Sequence, residues 1–134
     1  MRSDPLVEVV LRKYEPPSDD LRSNLHFFLL SLGLVRPGEK SSLAENVFFE
    51  LLTNPNGVSV SYLARKFGCS ESAVRYHLQK LRELHLVEGR RIYRIAEGDL
   101  EIAFKVFRRF VVGEILDRIE DYVKRITDSL SREP

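Results

Sequence analysis

Residues 69–81 read CSESAVRYHLQKL. Ser70 is a residue type that caps helices, because its hydroxyl accepts from a backbone N–H that the first turn leaves free. Behind it Val74, Leu78 and Leu81 recur at steps of four and three, which is one face of a helix, with His77 beside them. Ser70, Glu71, Ser72, Arg75, Tyr76 and Gln79 fall away from that face. The spacing predicts a helix over about 70–85. An arginine, a glutamine and hydroxyls on its outer face are side chains that can enter a groove of DNA: Arg pairs with guanine edges or phosphate, and Gln pairs bidentately with adenine. Glu71 repels phosphate, but it suits a helix N-terminus and can accept from cytosine.

The flanks extend the pattern in both directions. Upstream, Ser59 can cap a short helix carrying Leu63, Ala64 and Phe67, and Gly68 can end it because glycine tolerates the left-handed backbone of a helix stop. Further upstream, Ser42-Leu-Ala-Glu45 has capping-box spacing and opens a helix to about Thr53, with Leu43, Val47, Phe48 and Leu51 as its buried face. Downstream, residues 86–95, LVEGRRIYRI, change period: Val87, Ile92, Tyr93 and Ile95 are strand formers around Gly89-Arg90, so a tight hairpin is expected. Three helices, a tight turn at Gly68-Cys69-Ser70 between the last two, and a basic hairpin make the order of a winged helix-turn-helix.

Charge follows the same third of the chain. The 134 residues carry a net charge of only +1. Residues 57–95 alone hold +5, while residues 1–56 and 96–134 each sum to −2. Phosphate binding needs such local concentration, whatever the total.

Residues 58–88, VSVSYLARKFGCSESAVRYHLQKLRELHLVE, resemble without a gap the helix-turn-helix core of ArsR-type winged-helix transcription regulators. The shared elements are Ser59-Val60, Leu63-Ala64, Gly68, Ser70, Ser72, Val74, His77-Leu78, Leu81 and Leu86-Val87. The resemblance implies a DNA-binding regulator of the archaeal or bacterial kind. It places Ser70, Glu71, Ser72, Arg75, Tyr76 and Gln79 where a recognition helix meets double-stranded DNA, and Arg90 and Arg91 where the wing meets the backbone or the minor groove; Arg94, basic and in the same hairpin, is expected to engage phosphate with them. His77 is then a core residue and Cys69 a small apolar residue of the turn. The chain departs from the pattern in a short wing, in His85 where a glycine usually ends this helix, and in lacking the family's cysteine-bearing metal motif.

The rest of the chain is helical in period. Residues 5–15, PLVEVVLRKYE, predict a short helix stopped by Pro16-Pro17, and Ser18 or Asp19 can cap a second helix to about Leu34, followed by a turn at 35–40. Asp99 can cap a long helix from Leu100 to about Leu130. Its apolar row is Phe104, Phe107, Val111, Ile115, Ile119, Tyr122, Ile126 and Leu130. Such a helix spans about 46 Å, more than one small domain covers, so the row predicts a homodimer, against the mate's own helix or its N-terminal helices. The expected fold is therefore mainly α, with an N-terminal helical extension (1–40), a winged helix-turn-helix domain (41–96) and a long dimerisation helix (97–134).

Other functions find little footing. Composition is globular, 43% apolar and 31% charged, and the single cysteine excludes an internal disulfide or a cysteine-cluster metal site. No apolar run approaches the roughly eighteen residues of a membrane span, and Asp4-Pro5 does not suit a signal peptide; a cytoplasmic, non-membrane protein is expected. Gly33 to Ser41 brushes against the phosphate-loop pattern, but Glu39 stands between Gly38 and Lys40 and a helix precedes it where a strand is required. His26, His77 and His85 lack zinc spacing, and no nucleophile has a base partner, so neither enzyme nor cofactor is expected. The rival reading is a winged helix that binds protein or RNA within a larger assembly.

Overall fold

A computed structural model describes residues 6–39 and 42–132. Four helices, α1 (Leu21–Ser31), α2 (Leu43–Thr53), α3 (Val60–Phe67) and α4 (Glu71–Glu83), precede a hairpin of β2 (Val87–Gly89) and β3 (Ile92–Ile95). A two-residue strand, β1 (Val58–Ser59), pairs antiparallel with β3 and makes the sheet three-stranded, in the order β1-β3-β2. After a 3-10 turn at Ala96–Gly98, the chain runs through α5 (Leu100–Val106), a π-helical segment (Phe107–Val112) and α6 (Gly113–Arg132). This is a mainly helical winged helix-turn-helix.

Side-chain caps set most helix starts. Ser42, Ser59, Ser70 and Asp99 each accept from the backbone N–H three residues on, at 3.1 Å in every case. The capping box at α2 is only half formed, because the Glu45 carboxylate turns to His26 Nδ1 (2.8 Å). At α1 the cap is Asp20, which accepts from Ser23 N–H at 2.8 Å; Ser18 instead accepts from Asp20 N–H.

The core lies where α1 to α4 meet the hairpin and the π-helical segment. Leu29, Val47, Phe48, Leu51, Leu63, Val74, Leu78 and Leu86 are fully buried. Phe107 is also buried, at 1% exposure, and packs beside Phe104 (ring centroids 5.5 Å apart). Its side chain is therefore taken up by the chain's own core and is not on the surface offered to a second chain. Val111 packs partly against the same core, and Phe104 meets Phe28 edge-on at 6.3 Å.

The expected N-terminal helix is absent. Residues 6–14 form neither helix nor strand and lie as a strap, and Pro5 lies outside the described residues. Short isolated helices are marginal, and Val7, Val9 and Val10 weaken this one further. The strap finds tertiary partners instead: Arg12 N–H donates to Ser31 O (2.9 Å), and Tyr14 lies on Phe27 with centroids 5.6 Å apart. Val10 sits so close to Gly33 that a Cβ there would stand 2.8 Å from Val10 Cβ.

The α2–α3 junction carries a buried charge. Glu50 is 6% exposed and accepts from Tyr62 Oη and Lys66 Nζ, both at 2.8 Å, and from Asn54 Nδ2 at 3.3 Å. Burial alone would raise its pKa, but those hydrogen bonds and the Lys66 charge outweigh it and hold the carboxyl below its ordinary value. The same bond to Glu50 pushes the Lys66 pKa up.

Candidate nucleic-acid interface

The turn between α3 and α4 is three residues, with Gly68 in the left-handed region (φ +62°) and Cys69 N–H donating to Ala64 O at 3.0 Å. This closes α3 sharply and sends α4 off in a new direction. Val74, Leu78 and Leu81 then bury one face of α4. Burial of that face leaves Ser70, Glu71, Ser72, Arg75, Tyr76 and Gln79 all exposed on the other. Arg75 Nη2 is held by Glu71 Oε1 at 3.0 Å, one turn along the same helix.

Two side chains that the sequence reading passed over border this face. Lys80 Nζ lies 5.3 Å from the centroid of the Tyr76 ring, close enough for a cation–π contact. Arg65, on α3, lines an open cleft of about 550 Å³ with Ser61, Gly68, Cys69 and Glu71. Lys80 belongs to α4 itself and Arg65 to the helix before it, and the signal of both in the sequence is positive charge within the basic third of the chain. His77 is half-buried beside Tyr76, and burial lowers its pKa, so its neutral form is favoured. Cys69 is a free thiol, also half-buried.

The hairpin pairs Val87 with Ile95, Glu88 with Arg94 and Gly89 with Tyr93. That register leaves Arg90 and Arg91 exposed at the tip. Arg94 is treated differently, since its Nε donates to Glu88 Oε2 across the hairpin at 3.2 Å. Glu88 also accepts from Glu97 N–H (2.8 Å), and this backbone bond, with Arg94, keeps the Glu88 pKa low against its partial burial. The wing therefore presents at its tip two exposed cations that have no ion-pair partner among the described residues, and a neutralised pair at its base. Below that pair, α4 ends two residues earlier than expected, and His85 itself takes the left-handed conformation (φ +60°) usually given to glycine. Its Nε2 lies 3.1 Å from Glu97 Oε1, and Glu97 also has positive φ (+61°).

An exposed helix face behind a tight turn, flanked by a basic hairpin tip, is the geometry of a DNA-reading motif. Residues 47–90 match the family model of a helix-turn-helix domain. That span holds most of α2, the whole α3–turn–α4 unit and the hairpin up to its first tip residue, so it overlaps most of the basic third of the chain. No curated protein and no solved structure matches the chain. Among the described residues no His, Cys, Asp or Glu cluster could hold a metal ion, and no helix is long and apolar enough to cross a membrane.

Beyond the helix-turn-helix domain, α6 has no buried residue. Of the row expected to face a second chain, Ile119, Tyr122 and Ile126 are 52–64% exposed and Ile115 is half-buried. Leu130, the last of the row, is 69% exposed, and Leu116 and Val123, at 59% and 54%, are also exposed on α6.

Proposed function

We propose that this chain is a dimeric transcription regulator of the ArsR-like kind, in which α4 lies in the major groove of double-stranded DNA and the wing tip rests on the backbone. The observation that carries the reading is the outer face of α4, where Ser70, Ser72, Arg75, Tyr76 and Gln79 are all exposed within a helix-turn-helix domain. Ser70, Ser72 and the first N–H groups of α4 suit a phosphate, while Arg75 and Gln79 suit base edges. Arg90 and Arg91 supply backbone charge, and Arg94 contributes less because Glu88 already holds it.

Dimerisation completes the reading. Val112, Leu116, Ile119, Val123, Ile126 and Leu130 step by four and three along one seam, the spacing of a helix that packs against another. Ile115 and Tyr122 widen that seam to the face of a bundle helix. A two-fold protein presents two recognition helices to two half-sites.

Fluorescence anisotropy with duplex DNA at several salt concentrations tests the DNA reading. Affinity falls steeply with salt, and Arg90→Ala/Arg91→Ala flattens the slope by about one to two phosphate contacts. Absence of binding at low salt would sink the reading in favour of a winged helix that docks protein or RNA.

A further inference from the structure

Glu71 is the one acidic residue in the first ten of α4, on the face offered to a polyanion. A helix that only gripped phosphate would be weakened by it. The carboxylate is nevertheless about half exposed (49%) and its Oε1 draws in the Arg75 guanidinium at 3.0 Å, itself 58% exposed. Two opposite charges are thus presented side by side, a donor fork next to an acceptor. Four residues of helix rise about 6 Å, less than two base-pair steps of roughly 3.4 Å. The drawn-together heads therefore address one base pair or two adjacent ones.

In the major groove, guanine offers two acceptors, N7 and O6, and its cytosine offers a donor, the N4 amino group. A guanidinium beside a carboxylate is the complement of that edge. An A·T pair meets it badly: adenine has one acceptor and one donor, and thymine presents an acceptor that repels carboxylate, and a methyl group. We infer that Glu71 is a specificity-determining residue, and that with Arg75 it selects a G·C pair at one fixed position in each half-site, excluding A·T there. This rests on the reading that α4 enters the major groove. Within that reading it turns the apparent electrostatic fault at Glu71 into the filter: general affinity is reduced, and sequence discrimination is gained.

The experiment is selection from a random duplex pool by the full chain, followed by anisotropy titrations of the selected duplex and of the same duplex with the G·C pair replaced by A·T. Wild type is expected to recover one invariant G·C pair per half-site and to lose about tenfold or more in affinity on the replacement. Glu71→Ala is expected to cut that discrimination below about threefold while binding mixed-sequence DNA more tightly than wild type, because one repulsive charge is gone. Glu71→Gln loses the preference for G·C over A·T as well, since an amide accepts adenine. Far-UV circular dichroism checks that both variants keep α4, which is exposed at this position. The inference is overturned if Glu71→Ala and Glu71→Gln select the same G·C pair with undiminished discrimination. It is equally overturned if Arg75→Ala weakens every duplex alike and lowers the salt slope by about one, the behaviour of a phosphate contact. In both cases binding survives and the DNA reading stands. If wild type binds no duplex at low salt, that reading and this inference fall together.

Discussion

Between Leu43 and Phe107 most of the aliphatic side chains are buried against one another, while from Gly113 to Arg132 not one residue is buried. The two regions have similar apolar periodicity in the sequence, yet only the first has somewhere to put it. The helix-turn-helix body shares one core with α1, where Leu25, Leu29 and Leu30 are buried. The helix α6 is 20 residues of strong amphipathicity with one side unserved, and helices in proteins draw most of their stability from packing such an apolar face. What the contrast teaches is that the body's stability is written in its own contacts, whereas α6 needs a second surface to be worth forming.

The largest expected effects separate the two regions directly. Phe48 is fully buried, and its ring stacks on Phe28 with centroids 5.8 Å apart; Phe48→Ala should cost about 3–5 kcal/mol in chemical denaturation. Ile119→Asp/Ile126→Asp should leave the body's stability within about 0.5 kcal/mol, as exposed substitutions do, but convert the proposed dimer to a monomer in sedimentation equilibrium at micromolar concentration. A wild-type mass of one chain would refute the dimer. A loss in the α6 variant as large as in Phe48→Ala would mean that the row is covered inside the chain and the contrast is false.

A middling effect probes the strap, which stands between the two cases: most of it is exposed, yet one point is locked. Gly33 has φ +71°, and a Cβ there would press on Val10. Gly33→Ala should cost about 1–3 kcal/mol through backbone strain and loosen the strap, read as faster hydrogen exchange at the Arg12 amide. Unchanged exchange would mean that the Arg12–Ser31 bond, and not the Val10 contact, holds the segment.

Legibility in the sequence divides along the same line between local and tertiary causes. Caps at Ser42, Ser59, Ser70 and Asp99, the stop at Gly68 and the hairpin are local chemistry, and the residues that make them are adjacent. The outer face of α4 was equally readable, since Val74, Leu78 and Leu81 fix which side is buried. The strap was not, because its partners Ser31 and Gly33 lie some twenty residues away. Strand β1 is two residues long and defined wholly by β3. The helical row told that Phe107 and Ile119 share a face, but not that the first would be spent on the chain's own core. At the wing, nothing in the count of arginines told that Glu88 would take up Arg94; that depends on hairpin register.

The smallest effect concerns two groups of the body alone. His77 is half-buried, and burial, aided by the charge of Lys80 and opposed by that of Glu39, sets its pKa below the ordinary 6.5. Glu50 sits below its ordinary 4.5 because the hydrogen bonds from Lys66, Tyr62 and Asn54 overcome its burial. In both cases the unfolded chain takes up the proton first. Each contribution to stability is therefore complete above the group's ordinary pKa and lost as pH falls through the lower, folded value. Thermal melts should show Tm declining in two stages, the first below about pH 6.5 from His77 and the second below about pH 4.5 from Glu50 and from Glu88, whose pKa is also held low. His77→Gln should flatten the first stage and leave the second, and Glu50→Gln should shrink the second and leave the first. Because α6 contributes neither group, Ile119→Asp/Ile126→Asp should retain both stages; if acid stability changed in that variant, the body and the C-terminal helix would be coupled more tightly than their burial implies.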